Sequence, residues 1–285
     1  MSRERAETSA IYYSPEAKAL MADTFDKYKK SERLHRTRVT VTQFSLLAVM
    51  LVCWELAGRF KWIDVLLFSY PSKVGAQLWK DFADGSIWPH LLMTVGETLV
   101  GFVLGTVFGT LLAVVIWWSR YLANVLDPYM VVFNSMPKVA LGPLFIVGFG
   151  PGFTAIVATT LSITVLITTL VVYNAFREVD SNYVKVVKVF GGSKSVVFRK
   201  VIFPATIPSI VSTLKVNVGL AWVGVIVGEF LVSKVGLGYL IIYGFQVFNF
   251  TLVLSSLVLI AIVATIMYEA VSYLERRLIG HANSK

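Results

Sequence analysis

The sequence predicts an all-α, polytopic membrane protein, and three observations carry that prediction. Of the 285 residues, 56% are hydrophobic and only 15% charged, with a mean hydropathy of +0.71, whereas soluble domains have an apolar share nearer ~45–50%. Apolar runs long enough for a hydrocarbon core of ~30 Å occur at 39–58, 91–118, 124–148, 153–176, 205–228 and 248–274, which gives six transmembrane helices. The runs are continuous rather than alternating, and a helix satisfies its backbone polar groups within one segment, so helices are expected rather than a barrel.

Residues 1–38 are polar and charged. Ser14 and Pro15 read as an N-cap and a first-turn proline, and Ala17, Leu20, Met21, Thr24 and Tyr28 recur at helical spacing, which predicts an amphipathic helix. Lys27, Lys29, Lys30, Arg33, Arg36 and Arg38 follow as a basic collar suited to anionic head groups. With no apolar stretch behind a short basic start, no cleavable leader is expected, and the first span serves as its own targeting segment. Residues 59–90 mix Trp, Phe and Tyr with isolated charges, as an interfacial segment on the outer face does. Within them Ser69 to Lys73 reads as a turn and Val74 to Phe82 as a short helix lying on the membrane.

The second run carries Gly101, Gly105 and Gly109 at intervals of four, with Ala113 continuing the series, which predicts close approach of another helix backbone. The third run is interrupted at Pro137 and Pro143, each of which removes a backbone donor, with Lys138 beside the break. Broken helices in a bilayer face protein or a water-filled cavity. Asn134, Ser135 and Lys138 on this run, and Lys215, Asn217, Trp222 and Glu229 on the fifth, are therefore the candidates for a solute pathway, because polar groups inside a membrane are costly. For Lys215 and Glu229, near the two ends of their run, snorkelling to water is the competing reading. Glu97 likewise lies near a predicted end.

Several chemistries are not expected. The single Cys53 sits in the first run, and His35, His90 and His281 are far apart, so no metal site is predicted. The stretch GFGPGF, Gly148 to Phe153, has G-x-G-x-G spacing and reads as a tight outer turn, and GGSKS, Gly191 to Ser195, lacks the full phosphate-loop pattern. No Ser/His/Asp arrangement or pair of carboxylates at usable spacing appears in the spans, so an enzyme is not expected.

The net charge of +9 is explained by topology rather than nucleic acid. Residues 1–40 hold nine Lys and Arg, the loop at Arg120 one, residues 177–203 six and the tail from Glu275 three, so 19 of 26 fall on one side of a six-span scheme. The positive-inside rule makes that side cytoplasmic, with both termini on it.

Within the basic segment, Gly191 and Pro204 are 13 positions apart, with Val201 three before the proline and Phe203 next to it. This spacing resembles the cytoplasmic E-A-A-x3-G-x9-I-x-L-P loop of the permease subunits of bacterial ABC importers. Val201 and Phe203 replace the usual Ile and Leu, and Lys185, Val186 and Val187 stand where Glu, Ala and Ala are usual. Further resemblance covers about residues 90–275. Leu126 to Pro128, Met136 to Gly150, Gly219 to Phe230 and the GLG at Gly236 to Gly238 are similar to the nitrate/sulfonate/taurine-type permeases.

The resemblance implies an inner-membrane permease domain over 39–285, with its core at about 90–275, a coupling loop at about 177–204 and the cytoplasmic segment 1–38 ahead of it. It implies a second permease copy, two ATPase subunits that bind ATP and Mg, and an external binding protein that delivers a small solute. Such a solute is an anion such as nitrate or a sulfonate, or a vitamin precursor. No cofactor is expected on this chain. The ATPase-coupling residues it implies are Lys185, Val187, Phe190, Gly191, Gly192, Ser193 and Pro204, with Gly191 and Gly192 ending a short helix because glycine readily takes φ > 0. The alternative reading is a stand-alone secondary transporter driven by an ion gradient.

Overall fold

A computed structural model describes residues 15–282, which fall into two units, residues 15–64 and 65–282. The expected cap Ser14 lies outside the described residues. In the first unit a single helix, α1 (Pro15–Arg59), runs 45 residues, about 68 Å at 1.5 Å per residue. The amphipathic segment and the first span are thus one rod, with no break near residue 38. The reason is compositional: between Pro15 and Gly58 the chain has neither proline nor glycine, the two residues that most readily end a helix. Ion pairs at i, i+4 join Asp23 to Lys27, Glu32 to Arg36 and Glu55 to Arg59, each at 2.6 Å.

The second unit begins with α2 (Val65–Phe68) and α3 (Pro71–Ala83). The latter starts three residues earlier than expected because Pro71 occupies the first turn, where its missing N–H is of no consequence. Then come α4 (Ile87–Trp118), α5 (Arg120–Ser135), a 3₁₀ turn (Lys138–Leu141), α6 (Gly142–Phe149) and α7 (Phe153–Glu178). The basic segment forms α8 (Ser181–Val189), α9 (Lys194–Val197) and a π turn (Phe198–Ile202) that runs into α10 (Phe203–Val232). Last are α11 (Leu237–Gln246) and α12 (Phe250–Ala282).

Among the described residues five helical stretches are long and apolar enough to cross a membrane, and a sixth if α5 and the following helical pieces count as one span. That span is bent by 92° and is not the near-continuous helix expected over 124–148. Pro137 disfavours the helical region for its predecessor, and Met136 is extended at φ −71°, ψ 141°. Pro128, by contrast, is accommodated inside α5. The outer turn after α6 has Gly150 at φ 79° and Gly152 at φ 124°, values that favour glycine.

Helix α7 is the hub. Its Thr160, Thr164 and Thr168 meet the glycine ladder of α4: a Cβ at Gly101 would lie 2.5 Å from Thr160 Cγ2, one at Gly109 2.5 Å from Thr168 Cβ, and one at Gly105 would overlap Thr164. The Thr169 hydroxyl donates across the interface to Gly109 O at 3.1 Å. On its other side α7 receives α10, where a Cβ at Gly224 would lie 2.8 Å from Thr160 Cα. Small residues on α4 and α10 and β-branched ones on α7 thus allow three helices to pack closely, as in other membrane interfaces.

Candidate coupling surface and buried polar groups

The segment after α7 is built by local rules. Asp180 caps α8, its carboxylate accepting from Asn182 N at 2.8 Å. The helix ends in a Schellman motif: Gly191, at φ 76°, donates to Lys188 O at 2.9 Å, and Gly192 donates to Val187 O at 2.9 Å. Ser193 then caps α9, accepting from Val196 N at 3.4 Å. Gly192 has its own requirement, since a Cβ there would run into Val187.

One face of this segment is anchored. Val197 and Ile202 are buried with Ala113, Ile116, Val172, Tyr173 and Phe176, and Val187 packs against the same cluster. Phe198 lies 4.9 Å from the Trp117 ring and 5.6 Å from that of Phe176, tying the π turn to the ends of α4 and α7. The other face is apolar and open. Phe190 is 85% and Val189 84% exposed, and Tyr183 and Val186 are exposed beside them. Of the coupling residues expected from sequence, Lys185, Phe190, Gly191, Ser193 and Pro204 are exposed, whereas Val187 turns inward. Tyr183, Val186 and Val189, which the sequence reading did not include, share this exposed face, and the i, i+3, i+7 spacing of Tyr183, Val186 and Phe190 is the signal that puts those three side chains on one side of α8.

The expected pathway residues form two separate sets. Asn134 and Ser135 are exposed and Lys138 half-buried at the bend after α5, where Lys138 Nζ donates to Asn134 O at 2.9 Å and Ser135 Oγ to Val131 O at 3.0 Å. None of these bonds reaches α10. On α10, Lys215 pairs with Glu275 of α12. Asn217 is fully buried, its amide donating to Thr106 Oγ1 at 3.0 Å and Thr168 Oγ1 at 2.6 Å, so it ties α10 to α4 and α7. Trp222 is buried with Val218 and Val271.

Glu229 does not snorkel. It is 1% exposed, with Oε1 accepting from Thr94 Oγ1 at 2.6 Å and Oε2 from Gly238 N at 2.6 Å, while Leu237 N donates to Thr94 Oγ1 at 2.8 Å. The GLG turn exists to admit this carboxylate: a Cβ at Gly236, where φ is 136°, would overlap it, and one at Gly238 would lie 2.8 Å from Oε2. Glu97, also fully buried, lies against Glu229, and apart from the Glu229 carboxyl no donor among the described residues reaches either of its oxygens. Two carboxyl groups that read as near span ends are therefore interior partners.

An α-helical bundle with a broken span and an anchored, apolar-faced loop between α7 and α10 matches a known family over residues 105–280, that of the binding-protein-dependent transport system inner membrane component. The chain belongs to that family. This inner-membrane transport component is 27% identical over 240 residues to the putative aliphatic sulfonates transport permease protein SsuC of Bacillus subtilis, covering 83% of this chain and 86% of the relative. It is 28% identical over 236 residues to the riboflavin transport system permease protein RibX of Chloroflexus aurantiacus, covering 82% and 87%. The fold is shared with an inward-facing structure of the MetNI methionine ABC transporter, with a TM-score of 0.57 at 22% identity over 67% of this chain and 93% of that one. The chain is thus a multi-pass permease of the ABC-importer type, a transport subunit rather than an enzyme.

Proposed function

We propose that this permease pairs with a second copy to form the pathway for a small solute handed over by an external binding protein. Two ATPase subunits bind ATP and Mg beneath it. The observation that carries this reading is the segment 181–202, apolar and exposed on one face at 181–193 and anchored to the spans on the other by Val184, Val187 and the Trp117–Phe176–Phe198 ring cluster. Tyr183, Val186, Val189 and Phe190 fill a cleft of the ATPase, and the rigid Schellman end passes its movement to α7 and α10. Both termini and this segment lie on the cytoplasmic side, where the Lys and Arg excess puts them.

The buried groups on α10 hold helices together, so the solute path is assigned to the bend after α5, where Asn134, Ser135 and Lys138 leave polar groups near the surface. Lys138 favours an anionic solute. A sulfonate fits that preference and is in the name of one relative, while the riboflavin named for another is a larger heterocycle.

Purification in mild detergent tests the reading against a stand-alone, ion-driven carrier. Co-purifying ATPase, with uptake that stops when ATP is depleted and an ion gradient is kept, is the expected result. Uptake by the chain alone in vesicles that hold only a gradient would contradict it.

A further inference from the structure

Where α4 and α7 end and α8 and α9 pack against them, the chain encloses an open cavity of about 930 Å3. Its wall carries Arg120, Arg177, Lys188 and Lys194 with Asp127 as the one acidic residue, and Trp117 is part of its lining. Four cations against one carboxylate leave a local excess of three positive charges. Among the described residues none of the four cations is in an ion pair. Two are held in place by other means. Lys194 Nζ donates to Trp118 O at 2.5 Å and sits 5.3 Å from the Trp117 ring centroid, and the Arg177 guanidinium lies 5.8 Å from that of Tyr173.

We propose that this cavity is a binding site for a phosphate-bearing anion, supplied by the headgroup of an acidic phospholipid or by free phosphate. Guanidinium groups match phosphate oxygens with paired donors, and lysines add point charge. The position favours the lipid. The cavity lies at the ends of two spans, beside the pair Trp117 and Trp118, and such indole rings collect at headgroup level. Basic pockets between spanning helices on the cytoplasmic side are suited to anionic headgroups. Lys188 lies two residues before Phe190 on the same segment, so an anion in the cavity would brace α8 from behind its exposed face. This inference uses the cytoplasmic placement of 177–203 but not the identity of the solute or the ATPase contact.

The test is native mass spectrometry of the purified full chain with phosphatidylglycerol or phosphatidylcholine. The wild type should retain one phosphatidylglycerol about ten-fold better than phosphatidylcholine, and Arg120→Gln/Arg177→Gln/Lys188→Gln should lose that preference. Lys73→Gln/Lys80→Gln/Lys234→Gln, which removes the same charge elsewhere, should keep it. If the triple cavity variant does not elute as the wild type does, Lys188→Gln alone should still weaken retention about three-fold. Displacement of the lipid by millimolar inorganic phosphate would identify the free ion as a competing source, and resistance to it would identify the headgroup. Equal retention of the two lipids, or undiminished phosphatidylglycerol on the cavity variants, would overturn the proposal, including the case where those variants lose a protein partner instead.

Discussion

Gly236 is the residue whose role is most sharply defined. Its φ of 136° and its contact with the Glu229 carboxylate both require the absence of a side chain. Gly236→Ala should therefore lower the thermal stability of the detergent-solubilised chain, by about 1–3 kcal/mol where such strain is relieved by movement of the turn. Glu97→Gln should change stability far less, because the neutral amide keeps the size of the side chain and still offers a donor to Glu229, and thermal unfolding of both variants in parallel checks the contrast. Asp81, on α3 outside the spans, offers a pH test. Burial pushes its carboxyl above the usual 3.8, with the neighbouring Asp84 acting in the same direction against the Gln77 hydrogen bond. The folded state then binds the proton more tightly than the unfolded one, so stability falls as pH rises from about 3.8 through the raised value. Asp81→Asn should remove that fall, giving a gain at neutral pH that vanishes in acid. Little of this residue-level detail was legible in the sequence. Glu229 and Thr94 are 135 positions apart, and no local spacing reports that they meet.

At the scale of elements, the regular spans were legible and the interruptions less so. The glycine series of α4 was readable because intervals of four place small residues on one helical face, and the structure puts Thr160, Thr164 and Thr168 against it. Gly105→Leu should then separate α4 from α7 and lower the yield of folded protein. Normal yield and stability would show that the contact with Thr164 is dispensable. The bend at Met136 was underestimated because two prolines announce a break without fixing its angle, which is 92° in the structure, with the 3₁₀ turn and α6 packed on α7. The continuity of α1 was missed for a different reason. A change from polar to apolar composition marks a change of environment, and a helix crosses such a change freely when no glycine or proline intervenes.

At the scale of the whole molecule, the family was readable from the Gly191-to-Pro204 spacing taken together with the stretches at 126–128, 136–150, 219–230 and 236–238, and the spacing persists because that segment is fixed by backbone geometry rather than by side-chain identity. The Schellman end at Gly191 and Gly192 survives the replacement of Glu, Ala and Ala by Lys185, Val186 and Val187. The proposed topology, with both termini cytoplasmic, rests on the charge distribution and is checked by labelling. With Cys53 replaced by Ser, cysteines introduced at Ser2 and Ser284, both outside the described residues, should stay unreactive to an impermeant thiol reagent until the membrane is opened. Reaction in intact cells would reverse the scheme.

The central claim, that segment 181–193 transmits the ATPase's movement to the spans, is tested most directly by Gly191→Glu. The substitution places a side chain at φ 76° and a carboxylate beside the exposed Phe190, while every apolar span is left unchanged. Membrane level, ATPase co-purification and uptake are measured together on that one variant. The account predicts near-normal insertion with uptake abolished and the ATPase either lost or hydrolysing ATP without transport. Wild-type uptake with wild-type ATPase retention would contradict it, and would make the segment a solvated connector between α7 and α10.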